Sequence, residues 1–188
     1  MKQKIAEMKE RFSSLILSTQ RKNAERVIAE LERLGFFEAP ASRKDHLPVA
    51  GGLVEHSMNV YRMATMLAHD VSELKDDVRI DENSLIITSL LHDICKATRY
   101  RLNAENEYEK DYTYFPVGHG EKSVIMLLQW GFELDEDEIL AIRYHMGAWQ
   151  IALHNTEAQE DYKQACRNCP LLTILHTADT LASQILET

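Results

Sequence analysis

The sequence predicts an all-α fold, a bundle of about six or seven helices forming one domain of 188 residues. Three observations predict it. Apolar residues recur at helical spacing through most of the chain. Segment 85–94, LIITSLLHDI, is apolar almost all round, as in a helix buried on most sides. Capping residues, glycines and prolines fall where such helices would begin and end.

Residues 2–17 and 20–34 read as the first two helices. The second carries an apolar stripe at Ala24, Val27, Ile28, Leu31 and Leu34, with Gly35 as its stop. A Pro- and Gly-bearing connection, 38–52, leads to a third helix at about 53–69. The fourth, about 82–97, contains the apolar run and places His92 and Asp93 in its interior. A fifth spans about 119–130 and stops at Gly131. Asp135 and Glu138 have the spacing of a capping box, and Leu134 and Ile139 that of a hydrophobic staple, so a sixth helix starts there and ends near Gly147. Pro170 opens the last helix, which runs to the end. Only 99–115, RYRLNAENEYEKDYTYF, departs from the pattern. Its tyrosines alternate with polar residues over 108–114, the signature of a short hairpin. The domain divides into N-terminal helices over 1–45 and a core over 46–186.

Composition narrows the function by exclusion. The formal net charge is −9, which gives no basic footprint for gripping a phosphate backbone, so stable duplex nucleic-acid binding is not expected. A small anionic substrate remains compatible, because a bound metal inverts the local field. The three cysteines, Cys95, Cys166 and Cys169, point to a reducing compartment rather than a disulfide framework. The first residues, MKQKIAEMKERF, are a mixed-charge amphipathic stretch unlike a signal peptide, and no apolar run approaches a membrane span. A cytoplasmic protein with no membrane association is therefore expected. The single C-x-x-C at Cys166 and Cys169 lacks a second pair and reads as two free thiols leading into a helix. Nothing in the sequence sets an oligomeric state.

The chemistry lies in where histidines and carboxylates fall. An ionised Asp93 inside an apolar helix costs several kcal/mol unless a cation compensates it. Asp179, inside TILHTADTLASQIL, poses the same problem far away in sequence, and His56 follows GGLVE at the start of the third helix. Singly, each residue has an ordinary explanation as a core histidine, a cap or half of an ion pair. Together, a divalent metal held by both acids and by neutral imidazoles answers the problem.

A His, then a His-Asp doublet, then a distant Asp is an order that resembles the HD-domain phosphohydrolases. HLPVAGGLVEHSMNV (46–60) is similar to the helix that opens HD domains in certain 3′→5′ exoribonucleases and their stand-alone relatives. SLLHDICK (89–96) resembles the HD-x-x-K doublet motif. GHGEKS (118–123) and YHMG (144–147) match positions where two-metal members place further histidines. The resemblance implies an HD-domain helical bundle with the metal site at its centre. It implies that His56, His92, Asp93 and Asp179 bind a first divalent transition metal (Mn, Fe, Co, Ni or Zn). Asp93 would bridge to a second ion held by His119 and His145. Cys95 stands where the doublet motif often has Gly and reads as a small buried apolar residue. No HD-GYP sequence follows His145, which argues against cyclic-di-GMP phosphodiesterase activity.

Asp93 and Lys96 are the catalytic candidates. Lys96, three residues after Asp93 and four after His92, would share their helix face and pair with a substrate phosphate or with the bridging carboxylate. A lysine complementing the helix end is the plain alternative. Lys122 and Arg143 neighbour the second-metal histidines and join Lys96 as substrate-binding candidates, with Ser123 nearby; Glu55 and Glu121 read as surface or supporting residues. His176, one turn before Asp179, is placed to support a ligand. His46 would line the entrance, whereas His69 and His154 have no argument behind them. The implied activity is a metal-dependent phosphohydrolase, a phosphomonoesterase or phosphodiesterase. Its substrate would be small and phosphorylated, a nucleotide or short oligonucleotide phosphoester. Two other readings stay open: a di-iron oxygenase, because the same ligand set suits iron, and a non-catalytic regulator that binds nucleotide or metal.

Overall fold

The computed structural model describes residues 2–105, 107–111, 117–151 and 155–188. Among them the chain forms eight α-helices: α1 Lys2–Ser18, α2 Ala24–Arg33, α3 Gly52–Leu74, α4 Glu82–Leu91, α5 His119–Gln129, α6 Glu136–Tyr144, α7 Thr156–Asn168 and α8 Pro170–Leu181. Short 3₁₀ turns follow α4 (Ile94–Thr98) and α6 (Gly147–Gln150), and a π turn (Ala182–Leu186) follows α8. The only strands among the described residues, β1 Tyr100–Leu102 and β2 Tyr108–Lys110, pair antiparallel with Arg101 opposite Glu109. No described helix is long and apolar enough to cross a membrane.

The local signals act as their chemistry dictates. Asp135 accepts from the Glu138 backbone N–H while Glu138 returns a bond from the Asp135 N–H, a complete capping box. Gly35 and Gly131 end α2 and α5 at φ of +74° each, backbone that a side chain would strain. The expected all-α bundle is therefore present, with three corrections. α4 stops at Leu91, so His92 caps it and Asp93 begins the 3₁₀ turn instead of lying mid-helix. Apolar periodicity runs on through the buried Ile94 and Cys95, and it does not distinguish an α turn from a 3₁₀ turn. α7 was not expected, because the stripe of TEAQEDYKQACRN, Ala158, Tyr162, Ala165 and Cys166, is short and made mostly of small residues, of which only Ala165 is buried. α8 widens into the π turn instead of continuing as a regular helix. The hairpin exists but is short; Tyr112, Tyr114 and His154 lie outside the described residues.

Two apolar clusters hold the bundle. One joins Phe12, Leu31, Phe36, Phe37, Leu53, Ile87, Leu91 and Leu127 from α1 to α5. The other joins Val60, Ala64, Ala141, Ala165, Leu172 and Leu175 from α3 and α6 to α8. Each such Leu or Phe contributes about 1.5–3 kcal/mol when fully buried. On α3, His56 falls between Leu53 of the first cluster and Val60 of the second. The polar site thus sits at the junction of the two clusters.

Candidate metal centre

Two helix ends present histidines by the same device. His92 caps the C-terminus of α4 and donates from Nδ1 to the Ser89 carbonyl at 2.9 Å. His145 caps α6 and donates from Nδ1 to the Ile142 carbonyl at 2.7 Å. Each ring thereby satisfies a carbonyl that the helix end leaves free, and turns its Nε2 lone pair inward. His119 is the first residue of α5. It comes close to His145 because Gly120 has no side chain: a Cβ there would overlap the carbonyl oxygens of Ile142 and Arg143 on α6. His56 enters from α3 and Asp179 from α8.

The rings form a chain, with centroids 5.4 Å apart from His56 to His92, 4.8 Å from His92 to His145 and 5.4 Å from His145 to His119. Asp93 lies against it with its two oxygens facing different partners. Oδ2 is 3.4 Å from His92 Nε2 and 3.7 Å from His56 Nε2; Oδ1 is 3.5 Å from His145 Nε2. Asp179 Oδ1 is 3.2 Å from His56 Nε2. Ligand atoms from His56, His92 and Asp93, from His92, His145 and Asp179, and from Asp93, His119 and His145 form three groups, each within 4.8 Å.

Whether a cation fits is answered by the atoms left over. Nε2 of His56, His92, His119 and His145, and Oδ1 of Asp93, are buried without a hydrogen bond of proper geometry. Buried polar atoms are rarely left so, and here five of them converge on one centre. They are the nitrogen and carboxylate donors that Mn, Fe, Co, Ni or Zn accept. The electrostatics agree. Burial would raise the Asp93 carboxyl, but Lys96 and the histidines outweigh it and hold it well below the usual carboxylate range. Burial opposes a charge on His56 as well, yet the nearby Asp179 and Glu187 carboxylates raise it to about 9. His92 is lowered by burial, and His119 falls to about 3 through burial with help from His145, Lys96 and Arg99.

Lys96 is buried on the 3₁₀ turn with Nζ 2.6 Å from Asp93 Oδ2, so of its two expected partners the structure brings the carboxylate. Lys122 and Arg143 line an open pocket of about 570 Å³ that reaches His119 and Cys95. Lys122 donates to Thr98 Oγ1, and Arg143 pairs with Glu121 at 3.2 Å. His176 donates to the His145 carbonyl at 2.6 Å, a supporting place, and His46 lies 5.1 Å from the His56 ring. The buried Ser123 accepts from the Cys95 N–H. Glu55 pairs with Lys4, and His69 is exposed beside Asp70, both away from the centre.

Two residues escaped the sequence reading. Glu187 accepts from His56 Nδ1 at 2.9 Å and from Asn59, and it reaches them because the π turn redirects the chain after α8. Arg99, just after the 3₁₀ turn, places Nη1 2.7 Å from His119 Nδ1. Neither carries a motif; an unbalanced buried His56 was the one available signal for the first.

Against known proteins, the model of the HD domain family matches residues 53–184. A "Dihydroneopterin 2′,3′-cyclic phosphate phosphodiesterase" of Methanocaldococcus jannaschii is 33% identical over 104 residues, which cover 55% of this chain and 41% of that protein. The match thus spans less than half of the relative's length. No solved structure matches the chain.

Proposed function

Because the chain belongs to the HD-domain family, we propose that it is a metal-dependent phosphohydrolase acting on a small phosphoester in the cytoplasm. The observation that carries this is the set of orphaned inward atoms from His56, His92, Asp93, His119 and His145 beside a pocket with basic walls. His56, His92, Asp93 and Asp179 hold a first divalent ion, and Asp93, His119 and His145 a second. Such ions supply Lewis acidity and a water-derived nucleophile at neutral pH.

The protein's own groups do the remaining work. Glu187 accepts the Nδ1 proton of His56 and fixes its ring, as the Ser89 and Ile142 carbonyls do for His92 and His145. Lys96 donates to Asp93 Oδ2 and has further N–H donors for charge that develops on phosphoryl oxygens. Lys122 and Arg143 orient the rest of the substrate. The pocket volume, about 570 Å³, suits a nucleotide-sized ligand. The relative's printed activity on a 2′,3′-cyclic phosphate supports a phosphodiester in preference to a monoester.

The test is turnover of cyclic nucleotides, mononucleotides and dinucleotides by protein loaded with Mn²⁺ or Zn²⁺ under strict anaerobiosis. Release of a phosphate or opening of a cyclic ester is expected. Activity seen only in a parallel aerobic assay of iron-loaded protein, and matched by oxygen consumption, would assign the protein to the oxygenases, and nucleotide binding without turnover to the regulators.

A further inference from the structure

The four inward-facing histidines are not equivalent. An arginine side chain has only N–H donors and no acceptor, so in the 2.7 Å bond between Arg99 Nη1 and His119 Nδ1 the ring nitrogen must accept. A neutral imidazole that accepts at Nδ1 carries its hydrogen on Nε2. His92 is the opposite case: its Nδ1 donates to the Ser89 carbonyl, which leaves Nε2 with a free lone pair. Turning the His119 ring over would place a C–H against the guanidinium and lose the bond. His119 therefore points an N–H, not a lone pair, at the group formed with Asp93 and His145.

We infer that Arg99 is a positioning residue that holds His119 in the tautomer unable to ligate, so that the second metal position fills only when Arg99 lets go. This rests on the two-ion reading above. To bind an ion, His119 must move its hydrogen to Nδ1, and the guanidinium must leave that nitrogen. Arg99 also lines the pocket next to Lys122 and Arg143, where an anionic group competes for the same guanidinium. Occupancy of the second position is thus coupled to the arrival of an anion, while the first position, whose rings have Nδ1 held by acceptors, waits on no such release.

Two measurements test this. Long-range ¹⁵N–¹H correlation spectra of the metal-free protein should show one neutral ring whose only N–H is on Nε2, lost in His119→Gln, and His92 with Nδ1–H. In Mn²⁺ titrations against a fluorescent chelator, Arg99→Met should tighten the second ion by roughly tenfold and leave the first unchanged. Lys122→Met removes a charge from the same pocket without this bond and should do much less. An Nδ1–H tautomer for His119, an unaltered second ion in Arg99→Met, or equal tightening in Lys122→Met would overturn the inference while the two-ion reading stands. A protein that never takes a second ion, with or without Arg99, would overturn both.

Discussion

The half of the site around His56 and the half around His119 use the same residue types under different constraints. In the first, every imidazole is backed by an acceptor: Glu187 behind His56 and the Ser89 carbonyl behind His92. In the second, His145 is backed by the Ile142 carbonyl, but His119 is backed by the cation of Arg99. Backing by an acceptor leaves the inward nitrogen of a neutral ring with a lone pair and strengthens a ligand; backing by a cation does neither. Identical letters in a motif can thus describe a preformed position and a conditional one. Asp93, which has one oxygen toward each half, is where the two meet.

Removing the shared residue has the largest expected effect. Asp93→Ala should abolish binding at both positions and lower turnover by on the order of 10³-fold. It also leaves the Lys96 ammonium buried without its carboxylate, which costs about 3 kcal/mol of stability. Metal analysis and a denaturant melt measure both. One ion retained at full affinity would show that the halves do not share Asp93. Chelation comes next. Loss of an ion held at about a hundred times its Kd removes about 2.7 kcal/mol, or roughly 5–10 °C of melting temperature for a chain of this size. Readdition of Mn²⁺, Co²⁺, Ni²⁺ or Zn²⁺ should restore it, and an unchanged melt would count against any metal.

The first half was the more legible in sequence. His56, His92, Asp93 and Asp179 stood out by their order along the chain, which resembles that of HD domains, and the two acids also because a carboxylate in an apolar segment needs a counter-charge. The all-α class and the helix ends at Gly35, Asp135 and Pro170 were readable for the same local reasons. The backing groups were not. Ser89 and Ile142 act through carbonyls that every residue possesses, and Glu187 acts through a π turn that has no letter code. Arg99 lies in the segment where helical periodicity fails, so its partner was invisible until the fold brought α5 beside the 3₁₀ turn. α7 was missed for a plainer reason: its stripe of Ala158, Tyr162, Ala165 and Cys166 is made mostly of small residues and does not stand out from the polar ones around it.

Glu187→Ala tests whether acceptor backing matters. It should weaken the first ion by about 10–100-fold and leave the second nearly unchanged, read by the same chelator competition. Equal weakening of both would mean that Glu187 supports the fold and not one ring. The two ends of the chain of rings should also answer differently to pH. In the chelated protein His56 is raised from 6.5 to about 9, held up by Asp179 and Glu187 against the effect of burial. A raised folded-state value stabilises fully below about pH 6.5, and the contribution is lost as pH rises through about 9. The melting temperature of chelated protein should therefore fall across that window, and fall less in His56→Gln. With Mn²⁺ present the ion displaces that proton, so its contribution should grow over the same window. His119, at about 3, titrates far below it.

The smallest effect is expected at the rim of the pocket. Arg143 is 45% exposed at its side chain, paired with Glu121 and laid 4.7 Å over the Tyr144 ring. An exposed guanidinium that binds a phosphate group contributes only about 0.2–1 kcal/mol, because water and salt screen it. Arg143→Met should then raise KM by roughly 1.4- to 5-fold at low salt, with kcat and both metal affinities unchanged. The difference should shrink as ionic strength rises. Arg143 and Arg99 line the same pocket, but only Arg99 touches a ring that faces the centre. A change in metal occupancy in Arg143→Met would therefore mean that charge in the pocket, and not the bond to His119, governs the second position. A salt-sensitive change in KM alone would confine Arg143 to substrate capture and leave loading to Arg99.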